Sequence, residues 1–101
     1  MFCTISRFQV LSENLDEIAR IFKVQYIPIV SYQPGFKETY LLTSPNGKFM
    51  IISFWDSKEQ VDEWFKNIEY QNIIFQLRPM LKSAESPEDY KIAVRSETGI
   101  G

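Results

Sequence analysis

At 101 residues the chain holds enough for one domain, and its 45% apolar and 15% aromatic content predicts a packed core rather than disorder. Eleven basic against thirteen acidic residues leave a net charge of −2, which carries no electrostatic footprint for nucleic acid or an anionic membrane. The single cysteine, Cys3, excludes an internal disulfide, and the lack of any histidine removes the commonest metal ligand and general base.

Phe2 to Leu11 alternates as a first strand, with polar residues on both faces. Asn14 with Glu17 has the form of a capping box, and Leu15, Ile18, Ala19, Phe22 and Tyr26 follow at helical spacing. Pro28 is expected to end or kink this helix near Gln25 to Ile27. Gln33-Pro34-Gly35 breaks the chain before a second strand, Phe36 to Ser44. Pro45-Asn46-Gly47 is a tight-turn signal, making the second and third strands antiparallel neighbours.

The third strand, Lys48 to Trp55, organises the rest. Phe49, Ile51, Ser53 and Trp55 occupy one face, and Met50, Ile52 and Phe54 the other. A strand with one wet face alternates apolar and polar, so this one is expected to be covered on both sides. The chain's own helices can cover one face. Little is left to cover the other, and a second copy of the protein is the simplest source.

Ser57 to Gln60 forms a second capping box, and Val61, Trp64, Phe65 and Ile68 make one apolar helical stripe. Ile73 to Leu81 suggests a further helical piece closed near Arg78-Pro79, and Ser83 to Glu88 reads as a loop. Tyr90, Ile92 and Val94 alternate with Lys91, Ala93 and Arg95 as a fourth strand, followed by a tail. The resulting order, β-α-β-β-α-β, predicts an α+β, ferredoxin-like domain over residues 1–95 with a four-stranded antiparallel sheet. Residues 96–101 are expected to form a C-terminal tail. Paired sheet to sheet, two such chains make a dimeric α+β barrel. With no signal-peptide pattern and no long apolar run, the expected setting is cytoplasmic, with neither membrane nor nucleic acid as partner.

Gln33-Pro34-Gly35-Phe36, Leu41-Leu42, the Asn-Gly hairpin, and Ser53-Phe54-Trp55-Asp56-Ser57 running into a helix with Trp64 resemble the antibiotic biosynthesis monooxygenase family, over roughly Thr4 to Val94. The resemblance implies a homodimer with a small pocket between sheet and helices. It also implies one of two chemistries. In one, cofactor-independent oxygenases let the anion of a phenol or enol react directly with oxygen, which calls for no cofactor. In the other, haem degraders hold iron through a histidine, aided by a strand-one asparagine and a helix tryptophan. Trp64 matches that tryptophan, but Ile74 stands in place of the histidine and Ser6 near the asparagine. Haem degradation by that arrangement is therefore not expected.

The candidate catalytic residues are Trp64 and Tyr70, spaced like an aromatic pair in the anthrone oxygenases. The Trp64 indole N–H is suited to donate to an oxyanion while its ring stacks on an aromatic substrate. Its plainer reading is a core residue on an apolar stripe. Tyr70 and Tyr40 are acid–base candidates if a nearby cation lowers their pKa, and otherwise packing. Arg7, with Ser6 and Tyr40, is assigned to substrate binding: it either holds an anion, pairs with a carboxylate across a dimer, or lies at an edge. The carboxylates do not cluster as a metal site. Two other classes stay in view. An RNA-binding domain shares the element order and superficially Gly47 to Phe54, but lacks the aromatic motif on strand one. A non-enzymatic small-ligand or interaction module on the same homodimer is the other.

Overall fold

A computed structural model describes residues 1–96, so the tail assigned to 96–101 lies, beyond Ser96, outside the described residues. The strands are β1 (Phe2–Val10), β2 (Phe36–Thr43), β3 (Lys48–Trp55), β4 (Leu81–Ala84) and β5 (Glu88–Lys91). All pairings are antiparallel, in the order β2-β3-β1-β4, with β5 also on β1. The expected α+β ferredoxin-like arrangement is present, with its fourth strand in two pieces. β4 pairs with the end of β1 and β5 with its start. The break falls at Glu85-Ser86-Pro87, where proline has no N–H to give the ladder. Part of the predicted loop, Ser83, Ala84 and Glu88, is therefore strand, while Ile92 to Arg95 is not.

The hairpin between β2 and β3 closes through Gly47 N–H to the Ser44 carbonyl at 3.0 Å. Gly47 alone in that turn takes positive φ (+93°), and its carbonyl accepts from Val10 N–H at 2.9 Å. A Cβ there would lie 2.0 Å from the Val10 carbonyl oxygen, so the turn needs glycine both for its backbone angle and for the close approach to β1.

The first helical run starts with a 3-10 turn (Ser12–Asn14) and α1 (Leu15–Ile21), and ends with α2 (Ile27–Val30). Asn14 makes no side-chain cap bond, and Glu17 pairs with Arg20 instead. Pro28 does not end the helix. A π turn over Phe22–Tyr26, with Ile27 N–H reaching back to the Phe22 carbonyl, widens the run ahead of it. A wider turn removes the clash that proline makes in an ordinary helix. Beyond it Val30 is buried; ahead of it Ile21 is buried and Ala19, expected on the apolar stripe, is exposed.

After β3 come α3 (Lys58–Lys66) and α4 (Ile68–Leu77), then a 3-10 turn (Arg78–Met80). The predicted capping by Ser57 takes another form: its hydroxyl donates to Gln60 Oε1 at 3.1 Å rather than accepting from the backbone. The break between α3 and α4 falls at Asn67, whose side chain accepts from Glu69 N–H (2.8 Å) and Tyr70 N–H (3.2 Å). A cap of this kind contributes about 1 kcal/mol. It leaves Ile68 exposed, off the stripe expected to carry it.

The helices cover one face of the sheet, and the core lies between: Phe8 stacks on Phe49 across β1 and β3, with Ile18, Ile21, Ile51, Ile73 and Leu77 around them. No helix among the described residues is long and apolar enough to cross a membrane.

Candidate functional site

The strand registers order the helix-covered face into cross-strand rows. Phe36, Trp55 and Phe2 make one row; Thr39, Ser53 and Thr4 the next; Leu41, Ile51 and Ser6 the one after. A row of hydroxyls thus crosses three strands in a layer that should be apolar. Thr4, Ser6 and Ser53 are all buried there. Buried hydroxyls are costly unless hydrogen-bonded, so their partners matter.

Two local features bring partners to this row. The π turn ahead of Pro28 seats Tyr26 in the core, and α3 lays Trp64 against it. The Trp64 indole N–H donates to the Tyr26 hydroxyl at 3.2 Å, and Ser53 stands beside the same hydroxyl. Thr39 donates to the Ile52 carbonyl at 3.1 Å. The 2.9 Å contact between Thr39 and Ser53 is therefore made with Ser53 as donor. Two buried pairs thus lie side by side: Trp64 on Tyr26, and Ser53 on Thr39, which ends on the Ile52 carbonyl.

Aromatic rings wall it in. Trp64 lies 6.1 Å from Trp55, 5.6 Å from Tyr26 and 5.1 Å from Tyr70, centroid to centroid. The Asn67 cap fixes where α4 begins and so places Tyr70 against Trp64 and Phe65. Among the described residues, one buried side-chain nitrogen has no acceptor, Nε1 of Trp55. Leaving such a donor unpaired costs about 1–3 kcal/mol.

Burial raises the pKa of Tyr26, an effect only partly offset by its contacts with Trp64 and Ser53. Burial, and then Tyr26 as a neighbour, raise that of Tyr70. Both stay protonated at neutral pH, so they are donors and not bases. Tyr40 is also raised, because its hydroxyl donates to the Glu38 carboxylate. The cation that an acid–base role requires stands beside neither Tyr40 nor Tyr70.

The sequence-predicted residues fall on two sides of the sheet. Trp64 and Tyr70 touch, and Ser6 shares their face one row beyond the hydroxyls. Arg7 and Tyr40 lie on the opposite face, where Arg7 pairs with Glu88 and the Tyr40 ring packs edge-on to Phe54. Two spaces differ as sharply. Between the layers, a cavity of about 10 Å³ is bordered by Phe22, Tyr26, Leu41, Ile51, Ile74 and Leu77. It is barely the room one water needs. On the open face, a hollow of about 390 Å³ lies among Arg7, Gln9, Leu42, Lys48, Met50 and Ser83, a size suited to a small ligand.

The family model for antibiotic biosynthesis monooxygenases matches residues 1–74. The chain belongs to this family. No curated protein matches it in sequence. Among solved structures, a variant of SnoaB, a cofactor-independent oxygenase from Streptomyces nogalater, superposes with a TM-score of 0.76 at 17% identity, covering 93% of this chain and 94% of its own. The haem degrader MhuD from Mycobacterium tuberculosis, with two haems in its active site, gives 0.72 at 17% identity, with 95% and 99% covered. A conserved protein from Methanosarcina mazei gives 0.76 at 16% identity, with 89% and 90% covered. At such identities the likeness is one of fold.

A haem does not fit the residues of this family member. Its sequence has no histidine, and Ile74 borders the small cavity between the layers. Among the described residues, no His, Cys, Asp or Glu group is placed to hold a metal ion. The sequence reading missed Tyr26, Ser53, Thr39 and Trp55 as site residues. One signal was there to be read: Ser53 is the lone small polar residue on the inward face of an otherwise apolar strand. Tyr26 had none, because at helical spacing it is indistinguishable from packing.

Proposed function

We propose that the chain is a cytoplasmic homodimer acting as a cofactor-independent monooxygenase on a small aromatic substrate of the quinol or anthrone type, held at the Trp64–Tyr26–Ser53 network. One observation carries this reading: buried, hydrogen-bonded hydroxyl and indole groups inside aromatic walls, at a place where a plain core would be apolar. The neutral tyrosines and indoles suit an anion more than a proton transfer. An acidic anthrone loses its own proton to solvent, and its anion is stabilised by the donors and reacts with oxygen. One oxygen atom becomes the new carbonyl; the other leaves as water with the two hydrogens of the oxidised carbon. Admission of a substrate requires the half-buried rings bordering the network, Phe36, Phe65 and Tyr70, to move outward.

The homodimer is supported by the open face of the sheet. Ile5, Met50, Ile52 and Phe54 are half-buried there, and Tyr40, Leu42 and Tyr90 exposed, so apolar side chains run together across a face that no helix covers. The lone cysteine supports the cytoplasm.

Oxygen consumption with an anthrone or a naphthoquinol at neutral pH tests the activity. The expected result is uptake by the wild type that falls about 100-fold in Trp64→Phe, which breaks the bond to Tyr26 that shapes the site. The tight packing between the layers, with Trp64 already donating to Tyr26, favours a second reading: a non-enzymatic ligand-binding or interaction module on the same dimer. No uptake by the wild type decides for it.

A further inference from the structure

Trp64 and Trp55 sit side by side, yet their indole N–H groups are in opposite states. That of Trp64 is engaged by the Tyr26 hydroxyl at 3.2 Å. That of Trp55 is fully buried and meets no protein acceptor. Native interiors seldom leave such a group unpaired, and where they do a ligand or catalytic role is a recurring cause. We propose that Trp55, and not Trp64, is the residue that receives the ligand's oxygen, the Trp64–Tyr26 pair serving to hold the inner face rigid around it.

The surroundings define the ligand class. An indole N–H only donates, so its partner presents an acceptor oxygen. The ring of Phe36 stands edge-on to Trp55 at 5.4 Å and that of Trp64 lies tilted at 6.1 Å, while Phe2 is its neighbour on β1. A body lodged among these rings is planar and apolar. Next to them lies the Thr39–Ser53–Thr4 row, the polar side of the same layer. The fit is to a flat polycyclic or bicyclic aromatic with a carbonyl or phenolate oxygen at one edge, entering past Phe36, which is only half-buried. This inference rests on the ligand reading above and adds to it the atom that makes the contact.

The chain has two tryptophans, so its nitrogen–proton spectrum carries two indole signals, assigned with Trp55→Phe. Anthrone is added to the labelled protein without oxygen, and binding is followed separately by calorimetry. The expected result is a downfield shift of the Trp55 signal well beyond that of Trp64. Replacing Trp55 by benzothienylalanine, which keeps the ring shape and removes the N–H, is expected to weaken binding about tenfold with the Trp64 signal unmoved. If anthrone binds while the Trp55 signal stays in place, or the replacement binds as well as the wild type, the assignment to Trp55 falls and the ligand reading stands. If anthrone does not bind, both fall. A contact between the Trp55 N–H and a buried water that persists with anthrone bound also overturns the proposal.

Discussion

The two faces of the sheet are built from the same strands and obey different rules. The inner face holds its polar groups in buried hydrogen-bonded pairs, with Ser53 and Thr39 joined and Tyr26 receiving Trp64. The outer face holds its charged and phenolic groups in exposed local pairs, with Arg7 and Tyr90 on Glu88 and Tyr40 on Glu38. Between those pairs it leaves Ile5, Ile52 and Phe54 with no layer above them. What the inner face gains from its own helices, the outer face lacks within this chain. That difference is the physical reason for the homodimer proposed above.

The largest effect separates the two faces directly. Trp64→Ala removes a fully packed ring and is expected to cost about 3–5 kcal/mol in urea denaturation. Ile52→Lys, on the other side of the sheet, is expected to leave the single chain's stability within about 0.5 kcal/mol and to abolish the dimer in sedimentation. A variant Ile52→Lys that still sediments as a dimer breaks the proposed use of the outer face.

A smaller effect probes the inner network. Tyr26→Phe leaves the Trp64 N–H without its acceptor and is expected to cost about 1–3 kcal/mol. It also carries a pH signature. The folded-state pKa of Tyr26 is raised above 10, so its contribution is constant below pH 10. Above that the unfolded chain releases its proton first, and stability falls with rising pH. Tyr70 acts in the same direction. Alkaline denaturation curves should therefore decline less steeply in Tyr26→Phe than in the wild type, and equal slopes would show that burial does not hold the phenol neutral.

The smallest effect sharpens the outer face. With Ile52→Lys keeping that face open, Arg7→Ala is expected to cost at most about 1 kcal/mol and to lose its effect in high salt, since both partners are more than a third exposed. In the dimer the same change should cost more, because Glu88 is left covered and unpaired. Equal costs in the two backgrounds would place the Arg7–Glu88 pair outside the interface.

Much of the architecture was legible from residue order. The Asn46-Gly47 turn, the doubly apolar β3 and the helical spacing of Val61 and Trp64 are local patterns, and each predicts its own neighbourhood. The misses share a cause. At Pro28 the local rule was overridden by a π turn; at Asn67 the helix restarts on a cap that periodicity does not register; at Pro87 one strand became two. The candidate site was less legible. Arg7 and Ser6 are adjacent in sequence and lie on opposite faces of β1, while Tyr26 and Trp64 are 38 positions apart and share a hydrogen bond.

The sequence by itself determined the fold class, because turns, strand alternation and helix spacing depend on residues close along the chain, and its short motifs carried the family resemblance. Only the tertiary structure decided which donors are engaged and which is left over, since Tyr26, Ser53, Trp55 and Trp64 meet through β-sheet register and helix rotation. A half-turn of helix or one step of register would send each of those groups elsewhere without altering any local pattern.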